Sequence, residues 1–252
     1  MENGTLRAAA VQFRATGNLS ENCKRIASNL ERLSSDGIRV AVFPECAATS
    51  YDDAVITATS SEDLSEAERR IATACRLNGI YAVVGMPYDI GGNRYNGAIV
   101  WGPNGSCIAR YGKVQLVGEP WFTPGTRPIL FRIDGVLCTA IICYDSRFPE
   151  LVRLPVLAGA QVVFYISCET DITDEPRMDQ YRAQVVARAA ENTVYVVCAN
   201  TPMGEVWMEN GTPQTWGRNA NGRSRIIRPD GTIVEEASVW GEDTVVADLD
   251  LS

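Results

Sequence analysis

The chain contains no histidine. That absence removes Ser-His-Asp triads, Cys-His dyads, histidine-bearing zinc sites and imidazole acid–base chemistry together. Any catalyst here must use carboxylate, lysine, tyrosine or cysteine. Long apolar runs are also missing: nothing approaches the ~20 residues that a membrane span needs. The opening Met1-Glu2-Asn3-Gly4-Thr5 lacks a basic segment followed by an apolar one, so a cytoplasmic protein is expected. No G-x-x-x-x-G-K-[ST] phosphate loop occurs, and Gln12-Phe13-Arg14-Ala15-Thr16-Gly17-Asn18 after the first apolar run is not Gly-rich. The eight cysteines form no C-x-x-C pair; most read as reduced core residues. A net charge of −8 sets a repulsive field against phosphate backbones and anionic lipid, so neither nucleic acid nor membrane is an expected partner.

What the chain does have is apolar side chain, 46% of 252 residues, enough for a sizeable core. Periodicity predicts a strand at 6–13, a helix at 20–34, a strand at 38–43, a helix at 65–77 and a strand at 81–85. A hairpin of 96–101 and 107–111 follows, turning at Pro103-Asn104-Gly105-Ser106. After Pro124-Gly125-Thr126 the order repeats. Strands 129–133 and 136–142, helix 150–158, strand 162–166, helix 177–190 and strand 194–199 lead to a hairpin, 223–228 with 232–236, around Pro229-Asp230-Gly231. A last strand is expected at 244–249. Two halves in the same order predict an α/β fold: a four-layer α–β–β–α sandwich with an internal pseudo-two-fold. With no linker tract, residues 1–252 are expected to form one domain. The competing doubly wound single sheet would want the Gly-rich loop that is missing.

Three segments put a reactive group just past a predicted strand. Glu45 ends Phe43-Pro44-Glu45 in apolar surroundings that would raise its pKa and suit it to proton transfer; an ordinary loop carboxylate is the plain alternative. Lys113 ends Tyr111-Gly112-Lys113. It is either a solvated edge charge or, without histidine or metal, a fixed ammonium for an oxyanion. Cys143 lies between an apolar strand and a helix start, where outward N–H groups and the helix dipole favour a thiolate. The other seven cysteines are assigned to the core.

In these segments the sequence resembles the nitrilase superfamily, the carbon–nitrogen hydrolases, in its amidase-like branch. The shared pieces are Phe43-Pro44-Glu45, Tyr111-Gly112-Lys113 and Cys143-Tyr144-Asp145-Ser146-Arg147-Phe148-Pro149-Glu150, in order. Ala10-Val11-Gln12, Phe122-Thr123-Pro124-Gly125 and Arg188-Ala189-Ala190-Glu191-Asn192 match as well. The resemblance implies a Glu45-Lys113-Cys143 triad with no metal or cofactor, and hydrolysis of a small amide or N-carbamoyl amine through a thioester, with the Tyr144 N–H as a second oxyanion donor. Glu119 stands where the family has a second glutamate, one residue short of the family spacing to Pro124. Gln115 replaces a usual His and Tyr181 a frequent Trp.

Residues Ser167, Cys168 and Glu169 occupy a stretch that lines the pocket in relatives. Glu169 and Asp171 suit a cationic substrate, whereas Arg147 suits a carboxylate-bearing one; the sequence does not choose. Cys-Tyr-Asp favours amides over nitriles. Nitrile hydrolysis and a silent scaffold of the same fold are the alternatives, and thiol-redox work lacks a resolving cysteine. By analogy a homodimer or higher homo-oligomer is expected, with the chain stopping soon after Asp248-Leu249-Asp250.

Overall fold

A computed structural model describes residues 4–169, 175–203, 206–209, 212–215 and 220–252. The first half runs β1 (Thr5–Gln12), α1 (Leu19–Ser35), β2 (Val40–Val42), α2 (Asp53–Ala58), α3 (Ser61–Asn78), β3 (Tyr81–Ile90), β4 (Asn93–Trp101) and β5 (Cys107–Gly112). The second runs β6 (Phe131–Ile133), β7 (Val136–Ile142), a 3-10 turn (Cys143–Arg147), α4 (Glu150–Leu157), β8 (Val162–Ser167), α5 (Glu175–Asn192) and β9 (Tyr195–Asn200). It ends in β10 (Val206–Glu209), β11 (Thr212–Thr215), β12 (Arg225–Ile227), β13 (Ile233–Glu236) and β14 (Asp243–Asp250).

Local chemistry explains the helix starts. Asn18 caps α1 by accepting from the Glu21 N–H at 3.0 Å, and Cys23, Ile26, Leu30 and Leu33 give the helix its buried stripe. Helix α3 begins four residues earlier than periodicity predicts, because Ser60 and Asp63 form a capping box. Helix α2, capped by Asp52, is an element that the sequence reading left out; six residues are too short for a clear period. The β10–β11 ribbon was likewise not expected.

The strands assemble into two six-stranded sheets, ordered β14-β1-β2-β3-β4-β5 and β13-β12-β9-β8-β7-β6. Alternation along β1 sorts its side chains. Leu6, Ala8 and Ala10 face the second sheet, where Ala140, Ile142, Phe164 and Val197 meet them. Ala9 and Val11 face α1 and α3 on the other side. On the second sheet Ile141, Val163 and Val196 turn outward to Leu151, Val185 and Ala189 of α4 and α5. The result is the expected α–β–β–α sandwich, and the doubly wound single sheet is excluded. The pseudo-two-fold pairs β1-β2-β3-β4-β5 with β7-β8-β9-β12-β13. Each set gains one flanking antiparallel strand, and the first half takes its own, β14, from the far end of the chain. Among the described residues no helix is long and apolar enough to cross a membrane.

Candidate active site

Parallel strands β2, β7 and β8 end on the same side of the stacked sheets, and the reactive side chains follow them. Glu45 comes three residues after β2, on a turn that presses on β3 so closely that a Cβ at Gly85 would lie 2.0 Å from the Pro44 carbonyl oxygen and 2.6 Å from the Glu45 Cα. Lys113 directly follows β5, its N–H bonded to the Asn96 carbonyl at 2.8 Å and its own carbonyl accepting from Gly125 N–H at 2.7 Å.

These anchors bring one cation between two carboxylates. Lys113 Nζ donates to Glu45 Oε1 at 2.8 Å and lies 3.2 and 3.1 Å from Glu119 Oε1 and Oε2. Asn96 Nδ2 spans the same carboxylates, donating to Glu45 Oε1 at 2.7 Å and Glu119 Oε1 at 3.0 Å. The Cys168 N–H holds Glu45 Oε2 at 2.9 Å, the Val117 N–H holds Glu119 Oε2 at 2.9 Å, and the Tyr51 hydroxyl donates to Glu119 Oε1. All three charged side chains are at most 1% exposed. Burial pushes the Glu45 carboxyl above the usual range; Lys113 opposes that rise and the Glu119 charge adds to it. Burial also works against the Lys113 ammonium, yet Glu45, Cys143 and Glu119 outweigh it and raise the lysine above its ordinary value. The one-residue shortening before Pro124 does not keep Glu119 from this group.

Cys143 opens the 3-10 turn with φ +46°, a left-handed conformation uncommon for a side-chain-bearing residue. Asp145 fixes that turn. Its Oδ2 accepts from the Ile142 N–H at 3.1 Å and the Tyr111 hydroxyl at 2.8 Å, and its Oδ1 from the Gln115 N–H at 2.8 Å, so the cysteine turn is tied to the segment carrying Lys113. Burial lifts the Asp145 carboxyl to about 6 against these stabilising bonds. The sulfur differs from expectation. A thiolate favoured by N–H groups and helix dipole was anticipated, but burial first, then Glu45 and Glu169, push the thiol well above its ordinary value; Lys113 and a hydrogen bond from Ser167 pull the other way.

The remaining sequence candidates fall in two places. Ser167 and Cys168 are buried at the end of β8, the first 3.4 Å from the Tyr165 hydroxyl and the second lending its N–H to Glu45. Glu169 is buried beside them and bonded to Tyr165 and Asn221. Arg147 does not join this group: it is exposed, its guanidinium 4.7 Å from the Tyr144 ring centroid and 5.0 Å from that of Tyr181, whose hydroxyl accepts from it. Asp171 lies outside the described residues. Sequence reasoning missed Asn96, Tyr51, Tyr165 and the positional role of Asp145. Asp145 had a signal, standing two residues after the cysteine, but an Asn in a strand carries none. Glu45 and Glu119, the bridged carboxylates, have their inner oxygens committed to Lys113 and Asn96, and among the described residues no acidic or sulfur cluster is disposed to hold a metal ion.

Stacked sheets that present cysteine, glutamate and lysine from strand ends define an enzyme class, the nitrilase superfamily. Residues 7–252 match the carbon-nitrogen hydrolase family, and the chain belongs to it. It is 31% identical to the 2-oxoglutaramate amidase of Bacillus subtilis, over 93% of this chain and 86% of that one. Identity to an omega-amidase of Xenopus tropicalis is 26%, over 97% and 88%. An amidase from Nesterenkonia sp. superposes with a TM-score of 0.86 at 27% identity, covering 99% of this chain and 92% of that one. A cysteine-to-alanine variant of the Nesterenkonia amidase in complex with butyramide gives 0.86 at 26%, covering 98% and 92%.

Proposed function

We propose that the chain is an amidase that hydrolyses a small linear amide or an N-carbamoyl amine through a Cys143 thioester. The observation carrying this reading is the buried Glu45–Lys113–Glu119 group, whose Glu45 and Lys113 charges bear on the Cys143 sulfur. Relatives named as amidases and a butyramide-bound neighbour support an amide over a nitrile.

Glu45, made more basic by burial, takes the thiol proton as the sulfur attacks the carbonyl carbon. The C–S bond forms and the carbonyl oxygen gains charge beside Lys113, whose ammonium the neighbouring carboxylates favour. The Tyr144 N–H, at the start of a turn whose first donors lack intrahelical acceptors, is the second oxyanion donor. Glu45 then returns its proton to the leaving nitrogen, the C–N bond breaks and ammonia or an amine departs. A water gives a proton to Glu45 and its hydroxyl to the thioester carbon; the C–S bond breaks, the acid departs and Glu45 returns the proton to the sulfur. Glu119, held by Lys113, Asn96 and Tyr51, keeps the ammonium in place and orients the incoming group.

The test is ammonia release over a panel of small amides, N-carbamoyl amines and matched nitriles, with Cys143→Ala as blank. Turnover of amides or carbamoyl amines by the wild type alone is expected. A preference for nitriles would move the reading to nitrilase, and an inert wild type would favour a silent scaffold.

A further inference from the structure

The two carboxylates on Lys113 are not equivalent, and Asn96 of β4 is what separates them. Asn96 is fully buried, and both hydrogens of its Nδ2 are spent, one on Glu45 Oε1 at 2.7 Å and the other on Glu119 Oε1 at 3.0 Å. Carboxylates only accept, so the nitrogen end of the amide must face them. Its Oδ1 accepts from the Cys46 thiol at 3.9 Å, and the Asn96 carbonyl accepts from the Lys113 N–H at 2.8 Å. One residue thus holds both carboxylates by its side chain and the lysine by its backbone.

A carboxylate oxygen has two lone pairs to offer. Glu45 Oε1 uses both, on Asn96 and on Lys113 Nζ at 2.8 Å. Glu119 Oε1 meets three donors, Asn96, Lys113 and the Tyr51 hydroxyl, and its Oε2 meets two, the Val117 N–H at 2.9 Å and Lys113 at 3.1 Å. Glu45 Oε2 has a single protein donor among the described residues, the Cys168 N–H at 2.9 Å. Of the four oxygens it alone keeps an acceptor site to spare.

We propose that Asn96 is a positioning residue that makes Glu45, through Oε2, the proton carrier of the pair: it closes the inner oxygen of Glu45 and, with Lys113, Tyr51 and Val117, completes Glu119. The inference rests on the amidase reading above, with Cys143 as nucleophile and Glu45 as its base. Oε2 then receives the thiol proton and returns it, while Glu119 serves through the ammonium it holds. The groups facing Glu45 are Lys113 after β5, Glu119 in the 116–122 segment, Cys46 and Tyr51 in its own turn, Cys143 after β7 and Cys168 after β8. Replacing Asn96 leaves all of these in the chain and takes from the charged form of Glu45 one bond that favours it.

The test is the pH dependence of kcat/KM on the best uncharged amide of the panel above, whose acid limb follows the base of the free enzyme. Asn96→Leu keeps the bulk and loses both donors. It should move that limb up by about one pH unit, the size of one lost hydrogen bond to a charge. On the plateau kcat should fall about tenfold with KM little changed, because the base is no longer held in one orientation. Asn96→Asp, of the same shape but with at most one proton to give, should move the limb in the same direction. A side chain that only supports the fold would lower the whole profile and leave its limb in place. An unmoved limb in a folded variant, or a raised KM with normal kcat, would overturn the proposal. Should Asn96→Leu fail to fold, the Asp variant carries the measurement. Amide hydrolysis by Cys143→Ala is a separate result, and it would remove the nucleophile reading and this inference with it.

Discussion

A lysine buried between two carboxylates has a structural part and a proposed oxyanion part, and the two are separable by experiment. Lys113 is the only cation in direct contact with Glu45 and Glu119 among the described residues, so Lys113→Ala leaves buried negative charge unpaired. Unfolding free energy from urea titration should fall by roughly 3–5 kcal/mol. Where the variant still folds, kcat/KM should fall by a further ~3 kcal/mol of transition-state stabilisation; a variant with normal kcat would remove the oxyanion role. Glu45→Gln keeps the shape but not the base, and should slow acylation by orders of magnitude in a single-turnover assay of ammonia release. A near-normal burst would contradict it.

Asp145 gives a prediction in pH. Its folded pKa, about 6, lies above the ~3.9 of a free aspartate, so between those values the native state binds more protons than the unfolded one. Its contribution to stability is therefore full below about pH 4 and lost as pH rises through 6. Denaturant midpoints for Asp145→Asn should decline less between pH 4 and pH 7 than those of the wild type, by up to about 3 kcal/mol. Parallel curves would show that this carboxyl is not shifted. Glu45, Lys113 and Cys143 were legible because each stands directly after an apolar run ending in a short distinctive motif. Asn96 was not, since a strand asparagine gains meaning only from two glutamates distant in sequence.

At the level of single elements, the site depends on backbones approaching where side chains would not fit. Strand β3 passes under the Glu45 turn at Gly85, and the 122–125 segment crosses the end of β5 at Gly125, where a Cβ would stand 2.0 Å from the Gly112 oxygen. Gly85→Ala must push Pro44 and Glu45 away, costing about 1–3 kcal/mol of overpacking strain. It should lower kcat more than it raises KM, because it displaces the base rather than the binding surface. Wild-type kinetics from a folded Gly85→Ala chain would contradict the close approach. The start of α3 belongs to this scale too: Ser60 and Asp63 cap it, whereas the apolar stripe that periodicity follows begins only at Leu64.

For the whole molecule, the decisive contact is between chain ends. Strand β14 pairs with β1 in full register from Thr5↔Asp250 to Gln12↔Asp243, and places Val245, Ala247 and Leu249 in the layer between the sheets. Gln12 adds a polar bridge, accepting from the Ser224 N–H at 3.0 Å and donating to the Ser238 carbonyl at 2.8 Å and the Gly241 carbonyl at 2.9 Å. A chain ending before Asp243 should lose its near-ultraviolet dichroism and its cooperative melt, because the first sheet would have an open edge and the shared core a missing wall. A truncated chain melting cooperatively at the wild-type temperature would show that the halves stand without it.

The sequence by itself determined the two-sheet α/β architecture, the places of Glu45, Lys113 and Cys143 at strand ends, and the exclusion of imidazole from any chemistry here. Periodicity, turn residues and composition are local quantities, and each can be read along the chain. Only the tertiary structure decided that Glu119 shares Lys113 with Glu45, that Asp145 ties the cysteine turn to the Lys113 segment, that Arg147 turns away to Tyr181, and that β14 completes the opposite half. Burial and through-space charge depend on what is brought near, and no spacing in a linear sequence carries that distance.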